Sequence, residues 1–410
     1  MKIVLVHNTY LIQGGEDVVF WQEGRLLREA GEEVIEYQRF NQEMEQYSTT
    51  QKLTLIGRTV WSRQAHHEFG ELLDLHQPDV VHVHNTFPLI SPSILWACHD
   101  RNVPVVHTLH NYRLLCPGAN FIRDGKPCED CTRGTLWQSV PHGCYRDSAP
   151  QTAAVALMLS VHRSKQTWTR TVDRYIALTE FARSKFVHGG LPAEKIVVKP
   201  NCVDPDPGER TETIGEYALF VGRVSEEKGA LTLIRAWQNL KEKIPLRIMG
   251  DGPALESLET QVAAARMDHV SFIERQSRDA VIAAMKRARF VIFPSQLYEN
   301  MPLTILEAFA CGVPVVASRL GAMQEMVEEE VTGAFFNPND ADDLARVVGK
   351  TWSLGKDLQV WGKQARREFE RHYSAPANYR ALKRIYAEAI ANRRAQPQGE
   401  AEIEPVAALQ

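Results

Sequence analysis

The sequence lacks any apolar run long enough to cross a bilayer. Its longest helix-like apolar stretch, Ala153 to Val161, falls far short of the ~20 residues a membrane span needs. No secretory leader is legible, because Met1-Lys2-Ile3-Val4-Leu5-Val6 runs straight into His7 and Asn8 and reads as a first strand. The expectation is a cytoplasmic protein, with peripheral contact at the inner face of a membrane as its closest approach to lipid. Cysteine is sparse, seven in 410 residues. That excludes a disulfide scaffold and leaves thiols or metal ligands. Charge of one sign is missing too: the formal net charge is -4, so nothing points to nucleic acid as a partner. There is no P-loop, no G-x-S-x-G elbow and no H-E-x-x-H, since His66-His67-Glu68 lacks the second spaced histidine.

What is present is an ordinary globular composition, 44% apolar and 24% charged. At roughly 100–200 residues per domain the length predicts two or three domains. Short apolar runs alternate with helical patterns. In the first half the strand candidates are Ile3–Val6, Glu33–Tyr37, Val80–His84, Val105–Leu109, Tyr175–Leu178 and Ile196–Lys199, with helices such as Asp17–Ala30 and Gln64–Leu75 between them. The second half repeats the scheme with Tyr217–Val221, Leu246–Met249, Val270–Ile273, Phe290–Phe293 and Val313–Ala317. This alternation predicts an α/β chain with two doubly wound, Rossmann-like parallel sheets facing across a cleft. The stretch Lys199-Pro200-Asn201-Cys202-Val203-Asp204-Pro205-Asp206-Pro207-Gly208 suits a hinge. The expected domains are therefore 1–205, 206–375, and a C-terminal segment 376–410 whose helix returns to the first domain before a frayed tail. Ligands of open α/β sheets bind outside the carboxyl ends of the strands.

Three elements look built for phosphate. Gln13-Gly14-Gly15-Glu16-Asp17 follows the first strand and opens a helix. Paired glycines allow close backbone approach, and a helix N-terminus offers free N–H groups; the alternative is a plain flexible loop. Gly222-Arg223 through Lys228-Gly229 follows the strand that opens the second half. It puts two cations where a diphosphate would sit; the alternative is solvated surface charge. In Glu299-Asn300-Met301-Pro302-Leu303-Thr304-Ile305-Leu306-Glu307, Pro302 suits the first turn of a helix. The N–H groups near Leu303 and Thr304 would face an anion. Glu299 and Glu307, eight positions apart, would address two ends of one ligand; the alternative for Glu307 is a charge in a first helical turn.

These residues, with Gly250-Asp251-Gly252-Pro253, Ala308 to Ala317, Thr332-Gly333 and Asn337-Pro338-Asn339-Asp340, resemble the donor-binding half of retaining GT-B glycosyltransferases of family 4, the glycosyl transferases group 1. The resemblance runs over nearly the whole chain and is most specific in the second half. It implies that Arg223 and Lys228 neutralise the diphosphate of a nucleotide-sugar donor and that Glu307 holds the ribose. It also implies that Glu299 meets the sugar hydroxyls, and that Gly14, Gly15, Gly222, Asn300, Met301, Pro302, Leu303 and Thr304 line the donor site. His110, in Val105-Val106-His107-Thr108-Leu109-His110-Asn111, matches the family histidine near the reacting centre, with a satisfied strand-end histidine as the alternative. Family members often carry Asp after that histidine; here it is Asn111. The resemblance further implies transfer with retention of anomeric configuration at a donor site that needs no catalytic metal or other cofactor.

Residues 111–150 form an insertion too long for a mere connector. It holds Cys116, Cys128, Cys131 and Cys144. Four thiolates suit a tetrahedral structural zinc, and a subset of the family shares the Cys-Pro-Gly and Cys-Glu-Asp-Cys phrases; the alternative is reduced thiols packed as small hydrophobes. The loop is expected to help form an acceptor site. Ala153 to Val161 leads into Arg163, Lys165, Arg170 and Arg174, with Trp168 among them. Such a helix could meet an anionic membrane bearing a lipid-linked acceptor, or be a core helix with a solvated end. The functional expectation is transfer of a sugar to a glycan or lipid-linked acceptor in polysaccharide biosynthesis. The alternatives are a sugar-nucleotide epimerase, a phosphorylase, or a non-catalytic nucleotide-sugar sensor.

Overall fold

The computed structural model describes residues 1–11, 14–211 and 215–395. Gln13 of the glycine loop lies outside the described residues, as does the expected tail at 395–410 apart from Ala395, which ends the last helix. The first sheet contains β1 (Lys2–Thr9), β2 (Glu33–Phe40), β3 (Val80–Val83) and β4 (Val105–Thr108). A two-stranded hairpin, β5 (Ile122–Arg123) with β6 (Lys126–Pro127), lies in the 111–150 insertion, and β7 (Arg174–Ala177) and β8 (Ile196–Val198) complete the sheet. Its order is β2-β1-β3-β4-β7-β8, all parallel. The second sheet holds β9 (Tyr217–Val221), β10 (Leu246–Met249), β11 (Val270–Ile273), β12 (Ala288–Phe293), β13 (Val315–Ser318) and β14 (Gly333–Phe336). Its order, β11-β10-β9-β12-β13-β14, is also parallel throughout. In both sheets the strand order switches side beside the first strand, between β1 and β3 and between β9 and β12, where open α/β sheets open a crevice.

The central strands are short β-branched runs buried on both faces, such as Val80-Val81-His82-Val83, as helix-covered parallel strands require. Four strands of the first sheet stop one residue earlier than the sequence predicts, β7 at Ala177 and β8 at Val198 among them. β3 ends at Val83 and β4 at Thr108, so His84, Leu109 and His110 belong to the turns that reach the crevice. The strand β14 escaped the sequence reading: Gly333-Ala334-Phe335-Phe336 is short and opens on glycine, and it is a strand because it pairs with β13.

One apolar cluster runs from the first sheet (Ile3, Leu5, Val106) through Val203 to the second (Leu219, Val291, Val315). It also takes in Leu382, Ile385, Tyr386 and Ala389 of the last helix, Ala375–Ala395. That helix lies on the first sheet. Tyr386 Oη is 2.8 Å from His82 Nδ1, Lys383 Nζ is 2.6 Å from Glu32 Oε1, and Arg393 Nη2 is 2.9 Å from Asp173 Oδ2. At the hinge the Asp204 carbonyl accepts both Gln22 Nε2 of the first domain and Arg278 Nη1 of the second, each at 3.0 Å.

Candidate active site

The crevice between the sheets is a cavity of about 400 Å³. From the second sheet it receives the turns after β9 and β12. Gly222 and Arg223 line it directly after β9, and Pro294, Ser295, Glu299 and Asn300 line it after β12. Lys228 reaches it because Gly229, at φ +76°, turns the chain into the helix Ala230–Asn239. A Cβ on Gly229 would lie 1.9 Å from the Pro294 carbonyl oxygen, so only glycine permits this approach of the two turns. Lys228 Nζ then sits 2.5 Å from Glu299 Oε1, which also accepts Ser295 Oγ at 2.6 Å. Arg223 is exposed and has no ion-pair partner among the described residues. Pro302 is the N-cap of the helix Leu303–Ala310. Leu303 and Thr304 line the cavity and bring to it the first N–H groups of that helix, which have no intrahelical acceptor.

From the first sheet come Gly14, Gly15 and Glu16 at the start of the helix Gly15–Glu29, Tyr10 after β1, and His110 after β4. Gly15 faces Leu303 across the cleft: a Cβ there would stand 3.5 Å from Leu303 Cδ1. His110 Nε2 is 2.9 Å from His84 Nδ1. Burial, helped by His7, His82 and Lys199, holds the His110 imidazole well below its usual range. Glu16, which sequence reasoning passed over, lies beside Asn111. Its Oε2 accepts Asn111 Nδ2 at 3.0 Å and Tyr10 Oη at 3.4 Å. Burial pushes its carboxyl up to about 8. Its signal in the sequence was only an acidic residue beside two glycines.

The residues expected at a donor site thus meet in one cleft, with one exception. Glu307 is not among the lining residues. It stands behind them, with Oε1 3.2 Å from Arg278 Nε, and burial raises its carboxyl despite that arginine. Asn300 and Met301 do double duty. Asn300 Nδ2 donates to the Leu109 carbonyl, and Met301 Sδ lies 3.1 Å from the Asn201 amide, so both tie the domains together beside His110.

The 111–150 insertion packs against this site: Glu129 pairs with Lys185 at 2.7 Å, and Lys185 lies 5.0 Å from the Tyr298 ring centroid. Its four cysteines are free thiols. Burial raises Cys131 to about 12, with the thiols of Cys116, Cys144 and Cys128 adding to the effect. The donor set fits zinc in kind and number. Its spacing does not: among the described residues the group of three potential ligands with donor atoms within 4.8 Å of one another is Glu23, His82 and His84. The helix Ala149–Ser164 is a core helix. Val155, Ala156, Met158 and Leu159 are buried, Leu157 is 39% exposed, and Arg163 Nη2 donates to the Leu114 carbonyl. Its apolar face therefore packs into the first domain. No helix among the described residues is long and apolar enough to cross one.

Comparison with known proteins agrees with this architecture. The family model described as Glycosyltransferase Family 4 matches residues 14–207, and the one described as Glycosyl transferases group 1 matches residues 209–368. A D-inositol 3-phosphate glycosyltransferase of Mycobacterium sp. (strain KMS) is 28% identical over 331 residues, which cover 76% of this chain and 66% of that relative. A GDP-mannose-dependent alpha-(1-6)-phosphatidylinositol monomannoside mannosyltransferase of Mycolicibacterium smegmatis is 28% identical over 252 residues, covering 52% of this chain and 66% of that protein. The chain thus spans just under two thirds of the length of these relatives. Among solved structures, the sucrose-phosphate synthase of Thermosynechococcus elongatus superposes with a TM-score of 0.71 at 18% identity, covering 95% of this chain and 99% of that one. Anabaena HepE in complex with UDP superposes with a TM-score of 0.65 at 17% identity, covering 94% and 100%. With two parallel-sheet domains in the GT-B arrangement and family matches over both, the chain belongs to the family 4, group 1 glycosyltransferases.

Proposed function

We propose that the chain is a retaining glycosyltransferase that moves a sugar from a nucleotide-sugar donor to a glycan or lipid-linked acceptor. The observation that carries this reading is the convergence on one cleft of Arg223, Lys228 and the start of the helix Leu303–Ala310, opposite Gly15 and His110. A diphosphate laid along these groups gains charge as the bond from the anomeric carbon to its oxygen breaks. Fixed cations and aimed amides favour that charge more than they favour the ground state. The acceptor oxygen bonds to the anomeric carbon on the face the diphosphate leaves, and its proton passes to the departing phosphate oxygen. Glu299, hydrogen-bonded to Ser295 and paired with Lys228, accepts sugar hydroxyls. Arg223 and Lys228 supply the positive charge that a divalent ion supplies elsewhere.

Related proteins are described with UDP in one case and GDP-mannose in another, which supports a nucleoside diphosphate as the leaving group. Synthesis of polysaccharide at the cytoplasmic side is the setting we propose. The experiment is a panel of nucleotide sugars in a thermal-shift assay, followed by release of nucleoside diphosphate with candidate acceptors in the presence of a chelator. A donor that raises the melting point and turns over in chelator supports the reading. The absence of any shift from UDP-, GDP- or ADP-sugars defeats it.

Zinc on Cys116, Cys128, Cys131 and Cys144 is the second part of the proposal. It requires the four thiols to close up and to lose their protons. Metal analysis of the purified chain tests it directly: zinc in equimolar amount, and a lower melting point after chelation or in Cys128→Ser, are the expected results.

A further inference from the structure

Behind His110 lies a buried polar chain that the transfer reaction does not explain. The His110 and His84 rings lie edge to edge, 19° from coplanar with centroids 5.1 Å apart, and His110 Nε2 and His84 Nδ1 are 2.9 Å apart. One of these two nitrogens carries the shared proton, and the far side of His84 decides which. His84 Nε2 is buried without a hydrogen-bond partner and faces Glu23 Oε2 at 3.6 Å, an oxygen that is equally buried and unpartnered. The other oxygen of Glu23 takes Lys199 Nζ at 2.6 Å, and both side chains are 1% exposed. Paired with a buried ammonium, Glu23 is a carboxylate and can only accept. An unprotonated His84 Nε2 would set a lone pair against that carboxylate where no water reaches, which is costly. The proton therefore sits on His84 Nε2.

A second proton on His84 would make an imidazolium. Burial opposes this, as do the neighbouring His82, His110, His7 and Lys199. His84 Nδ1 is then the acceptor and His110 Nε2–H the donor. His110 lines the cleft, and with Nε2 committed inward its remaining polar atom is an unprotonated Nδ1.

We propose that Glu23 and His84 are positioning residues that lock His110 in its Nε2–H tautomer, so that the cleft is offered a hydrogen-bond acceptor and not a donor. The ligand class this selects is a donor sugar with a free hydroxyl at that place; a carboxylate there would meet a lone pair. The functional half of the inference rests on the proposed transferase reading, whereas the tautomer does not.

The test is nitrogen NMR of the full chain labelled in its histidine rings, at neutral pH and without ligand, with His110→Gln used only to assign the signals. The expected spectrum shows His110 protonated at Nε2 and bare at Nδ1. Both tautomers should appear in His84→Leu and in Glu23→Gln. A bare Nε2 or an imidazolium in the native chain overturns the proposal, as does an unchanged tautomer in both variants. If His84→Leu does not fold, Glu23→Gln and the native spectrum still decide. Once a donor is known, loss of the lock should raise its KM by roughly tenfold, the size of one neutral hydrogen bond, with kcat changed less. A normal tautomer with no nucleotide-sugar binding would defeat the transferase reading and leave the lock intact.

Discussion

Lys228 Nζ and Glu299 Oε1 stand 2.5 Å apart in the lining of the cleft. The cation expected to meet a diphosphate is, in the free protein, already paired with the carboxylate expected to meet the sugar. A donor must divide this pair, so part of the lysine's charge is released only as the ligand seats. Lys228→Ala should cut turnover by on the order of 10²-fold, the usual loss for one charge-stabilising group. Glu299→Gln frees Lys228 and should tighten nucleoside diphosphate binding while lowering kcat. Calorimetry with UDP and GDP beside steady-state rates checks both, and parallel loss of binding in the two variants would count against the shared pair.

Glu16 gives the site a pH dependence. Its carboxyl moves from 4.5 to about 8, chiefly by burial, with the Asn111 hydrogen bond and Arg113 opposing and the Asp17 charge adding. A carboxyl raised on folding holds a proton that the unfolded chain has lost. Its contribution is therefore present below the ordinary value and is lost as pH rises towards 8. Glu16→Gln should melt like the native chain near pH 4 and above it at pH 8. Asn111→Asp, which sets a second carboxylate about 3 Å from the first, should lower the melting point at pH 8 more than at pH 5. Melting curves across that range decide it, and a flat difference would remove Glu16 from the account.

The sequence revealed the two sheets because strands buried on both faces are nearly continuous β-branched runs, and every one of the eleven proposed strands is found. It revealed the cluster that lines the cleft from the second domain because Gly229, Pro302 and the cations are local features of single turns. It did not reveal Glu16, Glu23 or His84. Their roles arise where β1, β3 and β4 are neighbours in the sheet though far apart in the chain, and no spacing rule encodes that. Glu307 shows the converse. Its interval from Glu299 is legible, whereas its pairing with Arg278, 29 positions earlier in the chain, is not.

That pairing fixes what removal of either partner should do. Glu307→Ala is expected to weaken nucleoside diphosphate affinity, and Arg278→Ala to leave a buried carboxylate without its cation. Because burial already raises Glu307, losing Arg278 raises it further, and the stability defect should grow from pH 5 to pH 8. Denaturant titrations of Arg278→Ala and of the double variant with Glu307→Gln test this. The double variant should recover most of the loss, and equal instability in both would mean that Arg278 acts through the Asp204 carbonyl instead.

The last helix makes the sharpest demand on stability. Arg393 and Asp173 are 3% and 1% exposed, and Asp173 Oδ2 also accepts the Val105 amide at 2.8 Å, at the start of β4. The pair therefore joins the C-terminal helix to the strand that delivers His110. Removing one partner of a buried ion pair costs about 3–5 kcal/mol, because the other charge is left without water or counterion. Arg393→Met should lose roughly that much in urea unfolding, and most of it should return in Arg393→Met with Asp173→Asn, whose amide oxygen can still accept from Val105. The double variant also separates stability from catalysis: if Arg393 serves only the fold, the recovered protein keeps its nucleotide affinity, and a persistent loss of affinity would place the helix in the path that sets His110.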